Sequence, residues 1–350
     1  MKAVVYSIKS FEKEYLAKAN QKKHDITLIS NPLGKDTVSF AKGKDAVVVF
    51  TNDDVSAPVI KKLKDLGVKY IATRSVGIDH IDCEAATAAD IKIANVPFYS
   101  PQSIAEHAVA LMMALNRKIF LAVQHAKNFN FKLDGLPGFT MYGKTVGLIG
   151  FGHIAHFLST ILKGFGCKVL VYDPYFKEFP AYVKSVSLTE LYKQSNIISL
   201  HVPLTDETRH IINAESIEQM RSDVMLINTS RGALIDTKAL LKALKIGRIA
   251  FFGADVYENE KGLFFEDHHS DENKDRILQE LLDMPNVIIT PHQAFLTTEA
   301  LQEIAAKTIE NLDLWQLGQC IGDACACTTV CEDSLKIKDN QGDSSLDILY

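Results

Sequence analysis

Three sites in chain order carry residue types suited to acid–base and anion chemistry: Arg231, an acidic trio of Asp255, Glu258 and Glu260, and His292. Each follows a short apolar run, VMLIN, IAFFGA and VIIT respectively. A histidine changes charge near neutral pH, so it can give a proton to a reacting oxygen or take one from it. A neighbouring carboxylate favours the protonated ring. A planar guanidinium meets a carboxylate with two parallel hydrogen bonds. Taken singly, each has a plainer reading, because a lone histidine is usually structural and acidic loop residues are usually solvated. At the C-terminal ends of successive strands, however, the three can converge on one crevice, the place where open α/β sheets bind ligands. Spacing alone does not choose which acid partners the histidine.

A second constellation lies upstream. VGLIGFGHIAHFL sets Gly150, Gly152 and Ala155 between an apolar strand and a helix start. The first glycine permits a tight turn, the second lets backbone approach a pyrophosphate, and the third small residue lets helix and strand pack closely. The free N–H groups near His153 and Ile154 would hold the pyrophosphate at the helix N-terminus. Asp173 ends the next strand, VLVYDPY, 23 residues after Gly150. A carboxylate there accepts from ribose hydroxyls and repels an extra phosphate, so the expected cofactor is NAD rather than NADP. No arginine follows in DPYFKEF, although Lys177 is nearby.

The elements that must position these groups are legible as alternation. KAVVYS, DITLIS, DAVVVF, VKYIATR and IKIANV predict five strands, and KTVGLIG, KVLVYDP, NIISLHVP, DVMLINTS, IAFFGADV and NVIITPH predict six more. Helix-length segments separate them, which predicts α/β architecture with doubly wound parallel sheets. One long helix is expected from Ile104 through IAEHAVALMMALNRKIFLAVQHAKNF, buried between two domains, and a last one over TEALQEIAAKTIENLDLWQLG. At 350 residues, two domains sharing a cleft are expected. A net charge of −5 with mixed signs offers no field for nucleic acid or an anionic membrane. No apolar run is long enough for a signal-peptide core or a membrane span, so a cytoplasmic location is expected. Cys83 and Cys167 are expected as buried thiols. Cys320, Cys325, Cys327 and Cys331 cluster near the C-terminus, where a plain, poorly ordered tail outweighs a metal or redox site.

The motifs together resemble the D-isomer-specific 2-hydroxyacid dehydrogenase family. MKAVVYS, GFTMYGKTVGLIGFG, ILKGFG, DPY, NTSRGALID, DVYENEKGLFFED and HQAFLT carry the resemblance in that order, and it ends near Leu317. It implies a Rossmann NAD-binding domain over residues 101–297, inserted in a flavodoxin-like substrate domain of residues 1–100 and 298–331, with a flexible tail over 332–350. It implies NAD-dependent reduction of a small 2-oxo acid, with pyruvate going reversibly to D-lactate. Arg231 would then bind the substrate carboxylate and polarise its carbonyl. His292 would be the proton donor in reduction and the base in oxidation, with Glu260 as its partner. Asp255 resembles the contact on the nicotinamide side, and Val202, Pro203, Thr229 and Ser230 resemble further cofactor contacts. In the first domain, the backbone N–H groups of Val76 and Gly77 in RSVGID would receive the substrate carboxylate, and Tyr99 would lie at the substrate. No metal is implied, and a homodimer or homotetramer is expected. Ala155 departs from the family's usual third glycine, and the sequence beyond about residue 320 lies outside the family pattern.

Other readings stay open. Formate dehydrogenases of the family carry Gln where Glu260 stands, phosphoglycerate dehydrogenases often add a domain for which this chain has no room, and L-lactate dehydrogenases place their glycine fingerprint near the N-terminus. Bulkier 2-oxo acids such as phenylpyruvate or 2-oxoisocaproate are alternatives, because Phe98, Tyr99 and Phe295 shape a pocket of unknown volume. An NAD-sensing, corepressor-type binding protein is the alternative from another class, against which the DVYENEKGLFFED block favours an enzyme.

Overall fold

A computed structural model describes residues 1–176, 178–271, 274–319 and 321–326. The chain divides into two units, one of Met1–Tyr99 with the chain from Thr298 onward, the other of Ser100–Thr297. Each is built on one parallel sheet.

The first unit holds β1 (Lys2–Val5), β2 (Asp25–Leu28), β3 (Ala46–Val49), β4 (Tyr70–Thr73) and β5 (Lys92–Ala94), in the order β2-β1-β3-β4-β5. This is the flavodoxin-like order. The central β3, AVVV, is buried along its whole length, as a strand covered on both faces must be. The Thr298–Gln316 helix closes one face, with Trp315 stacked on Tyr70 at a ring separation of 4.7 Å. The chain then returns to the sheet. Asn95 N–H donates to the Ala324 carbonyl at 3.0 Å and Ala326 N–H to the Ile93 carbonyl at 3.2 Å, so this stretch lies antiparallel to edge strand β5. Ile321 and Ala324 are buried there. An exposed strand edge offers unpaired donors and acceptors, and this segment covers them.

The second unit holds β6 (Thr145–Ile149), β7 (Lys168–Tyr172), β8 (Val183–Ser185), β9 (Ile197–Leu200), β10 (Met225–Asn228), β11 (Phe251–Ala254) and β12 (Val287–Ile289). Their order is β12-β11-β10-β9-β6-β7-β8, all parallel, so the chain reverses its direction of travel between β6 and β9. That reversal is the switch point at which doubly wound sheets open a crevice.

Three sequence expectations need correction. β8 is an unforeseen seventh strand of this sheet, and it buries only Val183, because an edge strand can keep its other side chains in water. The long helix is two, Pro101–Asn116 and Ile119–Lys127. Lys118 breaks it with φ 49° and donates from Nζ to the carbonyls of Gly135 and Pro137, while Asn116 binds both backbone groups of Phe139. Cys83 is disulfide-bonded rather than a thiol. Cys167 is a half-buried thiol whose pKa burial raises. Cys325 is exposed, and Cys320, Cys327, Cys331 and the 332–350 tail lie outside the described residues. Among the described residues, no helix is long and apolar enough to cross a membrane, and no three His, Cys, Asp or Glu side chains gather as a metal site would require.

Candidate active site

The glycine turn follows β6. Gly150 sits at φ 92°, and a Cβ there would lie 2.5 Å from the His201 carbonyl oxygen, so only glycine fits where β6 passes the end of β9. Gly152 caps the His153–Gly164 helix, and a Cβ on it would meet nothing within 4 Å. His153 is exposed, Ile154 half-buried, and Ala155 fully buried against the sheet. Asp173 ends β7 and ties the turn to its own loop: Oδ2 accepts from Phe151 N–H at 2.8 Å, and Oδ1 accepts from the N–H groups of Tyr175 and Phe176.

Val202, Pro203, Thr229 and Ser230 lie beyond the ends of β9 and β10. Ser230 Oγ donates to the Val202 carbonyl at 2.7 Å and holds the two strand ends together. Thr229 is 9% exposed, and its hydroxyl is buried with no hydrogen-bond partner among the described residues. A native protein rarely leaves such an oxygen unsatisfied, and a bound cofactor would supply a partner. The open space beside Gly152 at the helix start, the Asp173 carboxylate and the Thr229 hydroxyl fit a dinucleotide.

Arg231 follows β10 in extended backbone, half-buried, with Nη1 donating to the Ser230 carbonyl at 3.0 Å. Two residues that the sequence analysis missed position it. Asn228, 1% exposed, accepts from Ser230 N–H and donates to the Arg231 carbonyl, clamping the NTSR turn. Gly232 lets that turn press on the next strand end, since a Cβ there would lie 2.1 Å from the carbonyl carbon of Tyr257. The signal was present in the RG dipeptide, but its meaning depends on a contact 25 residues away.

The structure resolves the choice among the three acids. Glu258 is taken by His210, Nε2 to Oε1 2.7 Å, and by Thr237 N–H. Burial opposes its ionisation, but hydrogen bonds from Thr237 and His210 outweigh it and hold its pKa below the ordinary value. Asp255, 1% exposed, accepts from Thr290 Oγ1 at 2.5 Å and from the N–H groups of Gln293 and Ala294 at 2.8 and 2.7 Å. Glu260 is left for the histidine: His292 Nδ1 lies 2.9 Å from its Oε1, and its Oε2 accepts from Tyr257 N–H. A carboxylate at Nδ1 places the ring's proton there, so Nε2 is the nitrogen that can face a substrate. His292 itself sits at φ 55°, a left-handed backbone rare for a residue with a Cβ.

In the first unit, Asn95 Nδ2 donates to the Val76 carbonyl and Ser75 Oγ to the Gly77 carbonyl. Their carbonyls are thus held, while among the described residues neither N–H donates a hydrogen bond. Two adjacent free N–H groups on a fixed loop are suited to an anion. Tyr99 is half-buried at the end of the same unit's first segment.

A Rossmann-ordered sheet, a glycine turn with an acid one strand later, and a carboxylate-held histidine at a strand end define an NAD-dependent dehydrogenase. Residues 109–294 match the NAD-binding domain of the D-isomer-specific 2-hydroxyacid dehydrogenases. The chain is 46% identical over 322 residues to the D-lactate dehydrogenase of Escherichia coli (strain K12), covering 91% of this chain and 98% of that one. It is 40% identical over 324 residues to an aromatic 2-oxoacid reductase of Clostridium sporogenes, covering 91% and 98%. A solved structure of the pyruvate reductase of Chlamydomonas reinhardtii superposes with a TM-score of 0.85 at 45% identity, covering 92% and 98%. The chain belongs to the D-isomer-specific 2-hydroxyacid dehydrogenase family and is an NAD-dependent 2-hydroxyacid dehydrogenase, most like the D-lactate dehydrogenases among its relatives.

Proposed function

We propose that this enzyme reduces pyruvate to D-lactate with NADH, and runs the reverse reaction with NAD. The observation that carries the reading is the 2.9 Å contact of His292 Nδ1 with Glu260, which leaves Nε2 for the substrate oxygen. When bound, the nicotinamide supplies or takes the hydride. His292 gives its Nε2 proton to the carbonyl oxygen in reduction and takes it from the hydroxyl in oxidation. Glu260 stabilises the charged ring between those steps. Arg231 binds the substrate carboxylate through its fork, and the backbone N–H groups of Val76 and Gly77 in the first unit are assigned to carboxylate binding. Gly150, Gly152, His153 and Ile154 hold the pyrophosphate, Asp173 takes the ribose, and Val202, Pro203, Thr229 and Ser230 line the path to the nicotinamide, with Asp255 on its side. We further expect a cytoplasmic homodimer or homotetramer.

The E. coli and Chlamydomonas relatives favour pyruvate, and the Clostridium reductase favours a bulkier, aromatic 2-oxo acid as the second reading. NADH consumption with pyruvate, phenylpyruvate and 2-oxoisocaproate separates the two, with chiral analysis of the product. Pyruvate should lead in kcat/KM by roughly tenfold, about 1.4 kcal/mol. A lead for phenylpyruvate would replace pyruvate with the aromatic substrate.

A further inference from the structure

We infer that His107 is a positioning residue for the acid–base, acting on His292 through Thr290 and Asp255; this rests on the dehydrogenase reading above. His107 lies on the Pro101–Asn116 helix, and its Nε2 is 2.9 Å from Thr290 Oγ1 and 3.5 Å from Asp255 Oδ1. Thr290 has a single hydroxyl proton, and the 2.5 Å contact assigns it to Asp255 Oδ1. The hydroxyl oxygen must therefore accept from the ring, so His107 carries a proton on Nε2 whatever its charge.

The Thr290 hydroxyl and the Asp255 carboxylate hold the turn in which His292 stands. Asp255 accepts from the N–H groups of Gln293 and Ala294, the two residues after His292, while His292 N–H closes on the Thr290 carbonyl at 2.9 Å. Left-handed backbone at a residue with a Cβ persists only where its surroundings impose it. Here those surroundings are one buried carboxylate and the hydroxyl that His107 orients. The same helix holds the segment's far end as well: Ser103, four residues before His107 and so on the same helix face, lies 2.8 Å from Thr297 through their hydroxyls. The segment from Thr290 to Thr297 is thereby held at both ends by one helix, with His292 between the two holds. Among the described residues His107 is paired with Thr290 and Asp255 and not with Glu260 or the His292 ring, so its effect is on where the His292 ring points.

The test compares His107→Met, which keeps volume and loses the donor, with His107→Gln, which keeps an N–H at nearly the same reach. His107→Met should lower kcat for 2-oxo acid reduction on the order of 10- to 100-fold, the cost of a misplaced reacting group. KM for NADH should stay within about twofold. His107→Gln should recover most of the loss. A readout without turnover is the His292 ring resonances in NMR, assigned by their disappearance in His292→Asn: they should shift in the Met variant and return in the Gln variant. Unchanged kcat and unchanged His292 resonances in His107→Met would overturn the proposal, as would a Gln variant as impaired as the Met variant. If the wild-type enzyme reduced no 2-oxo acid, the dehydrogenase reading would fall, and the NMR comparison would still decide the positioning role.

Discussion

Each unit ends a strand on an arginine, and the two arginines live differently. Arg74 follows β4 in the first unit and is 2% exposed. Its Nε donates to Glu12 at 2.9 Å, its Nη2 donates to the carbonyl of Tyr6 at 3.0 Å, and its guanidinium lies over the Phe50 ring. Asp53 nearby is equally enclosed, accepting from Ser7, Leu33 and Phe50. Arg231 follows β10 in the second unit, half-buried, in a turn that Asn228 holds from behind. Two residues before it, Thr229 keeps a buried hydroxyl without a partner among the described residues, and at the end of β12 His292 is hydrogen-bonded through Nδ1 to Glu260. The same architecture thus places charge at strand ends for two purposes. Around Arg74 the protein's own carboxylate and carbonyls take the charge, which fixes a loop; beside Arg231 the buried Thr229 hydroxyl has no partner among the described residues, and a ligand is expected there.

The comparison breaks if His292 is dispensable. His292→Ala should cut kcat by a factor on the order of 10² to 10⁴. NADH affinity, measured by fluorescence titration, should hold. A loss below tenfold would place His292 with the structural residues.

The two arginines should separate next. Arg74→Lys keeps the charge but loses the fork and its paired hydrogen bonds to Glu12 and Tyr6, which should cost about 1–3 kcal/mol, read by urea unfolding as lost stability. Arg231→Lys should leave unfolding unchanged while raising KM for the 2-oxo acid about tenfold or more and lowering kcat. If Arg231→Lys unfolded the protein as readily as Arg74→Lys, both residues would be structural and the contrast would fail.

A smaller effect belongs to acid pH. His201, just beyond β9, is enclosed enough that burial lowers its pKa to about 4 from an ordinary 6.5. The folded state therefore prefers the neutral ring, while the unfolded chain takes up a proton below about pH 6.5. Its stabilising contribution is complete above pH 6.5 and is lost as pH falls to about 4, by at most ~3 kcal/mol since the residue keeps some exposure. His201→Gln should flatten thermal stability across that range. An equally steep acid loss in the variant would assign the effect to carboxylates such as Glu258.

Much of this contrast could be read in the sequence. Of the twelve strands in the described residues, eleven were legible as apolar runs, the central ones because parallel strands covered on both faces must be apolar throughout, and the exposed edge strand β2 through its β-branched DITLIS. β8 did not, since an edge strand with one buried residue has no pattern to read. The helix break at Lys118 escaped because the apolar periodicity runs through it, and its cause is a bond from Asn116 to residue 139. Gly150 and Asp173 were legible from spacing, as the glycine turn and the acid one strand later fall at a fixed interval within one strand–helix–strand unit. Spacing could not choose among Asp255, Glu258 and Glu260, because the choice depends on His210, Thr237 and Thr290, which are distant in sequence. Gly232 and His107 were missed for the same reason, since they act on other strand ends, and Asn228 was missed because a strand-end Asn carries no pattern that shows it clamping its own turn.

The most direct test of the catalytic assignment is the pH dependence of the reaction in both directions, for the wild type and Glu260→Gln. Reduction needs His292 protonated and oxidation needs it neutral, so the rate of reduction falls on the alkaline side and oxidation shows the mirror profile. Glu260→Gln removes the charge beside Nδ1 and keeps a hydrogen-bonding partner. The account predicts that the alkaline limb of reduction moves to lower pH in the variant, with NADH affinity nearly unchanged. Limbs that stay in place would show that Glu260 does not stabilise the charged ring, and the proton would have to be assigned to another group.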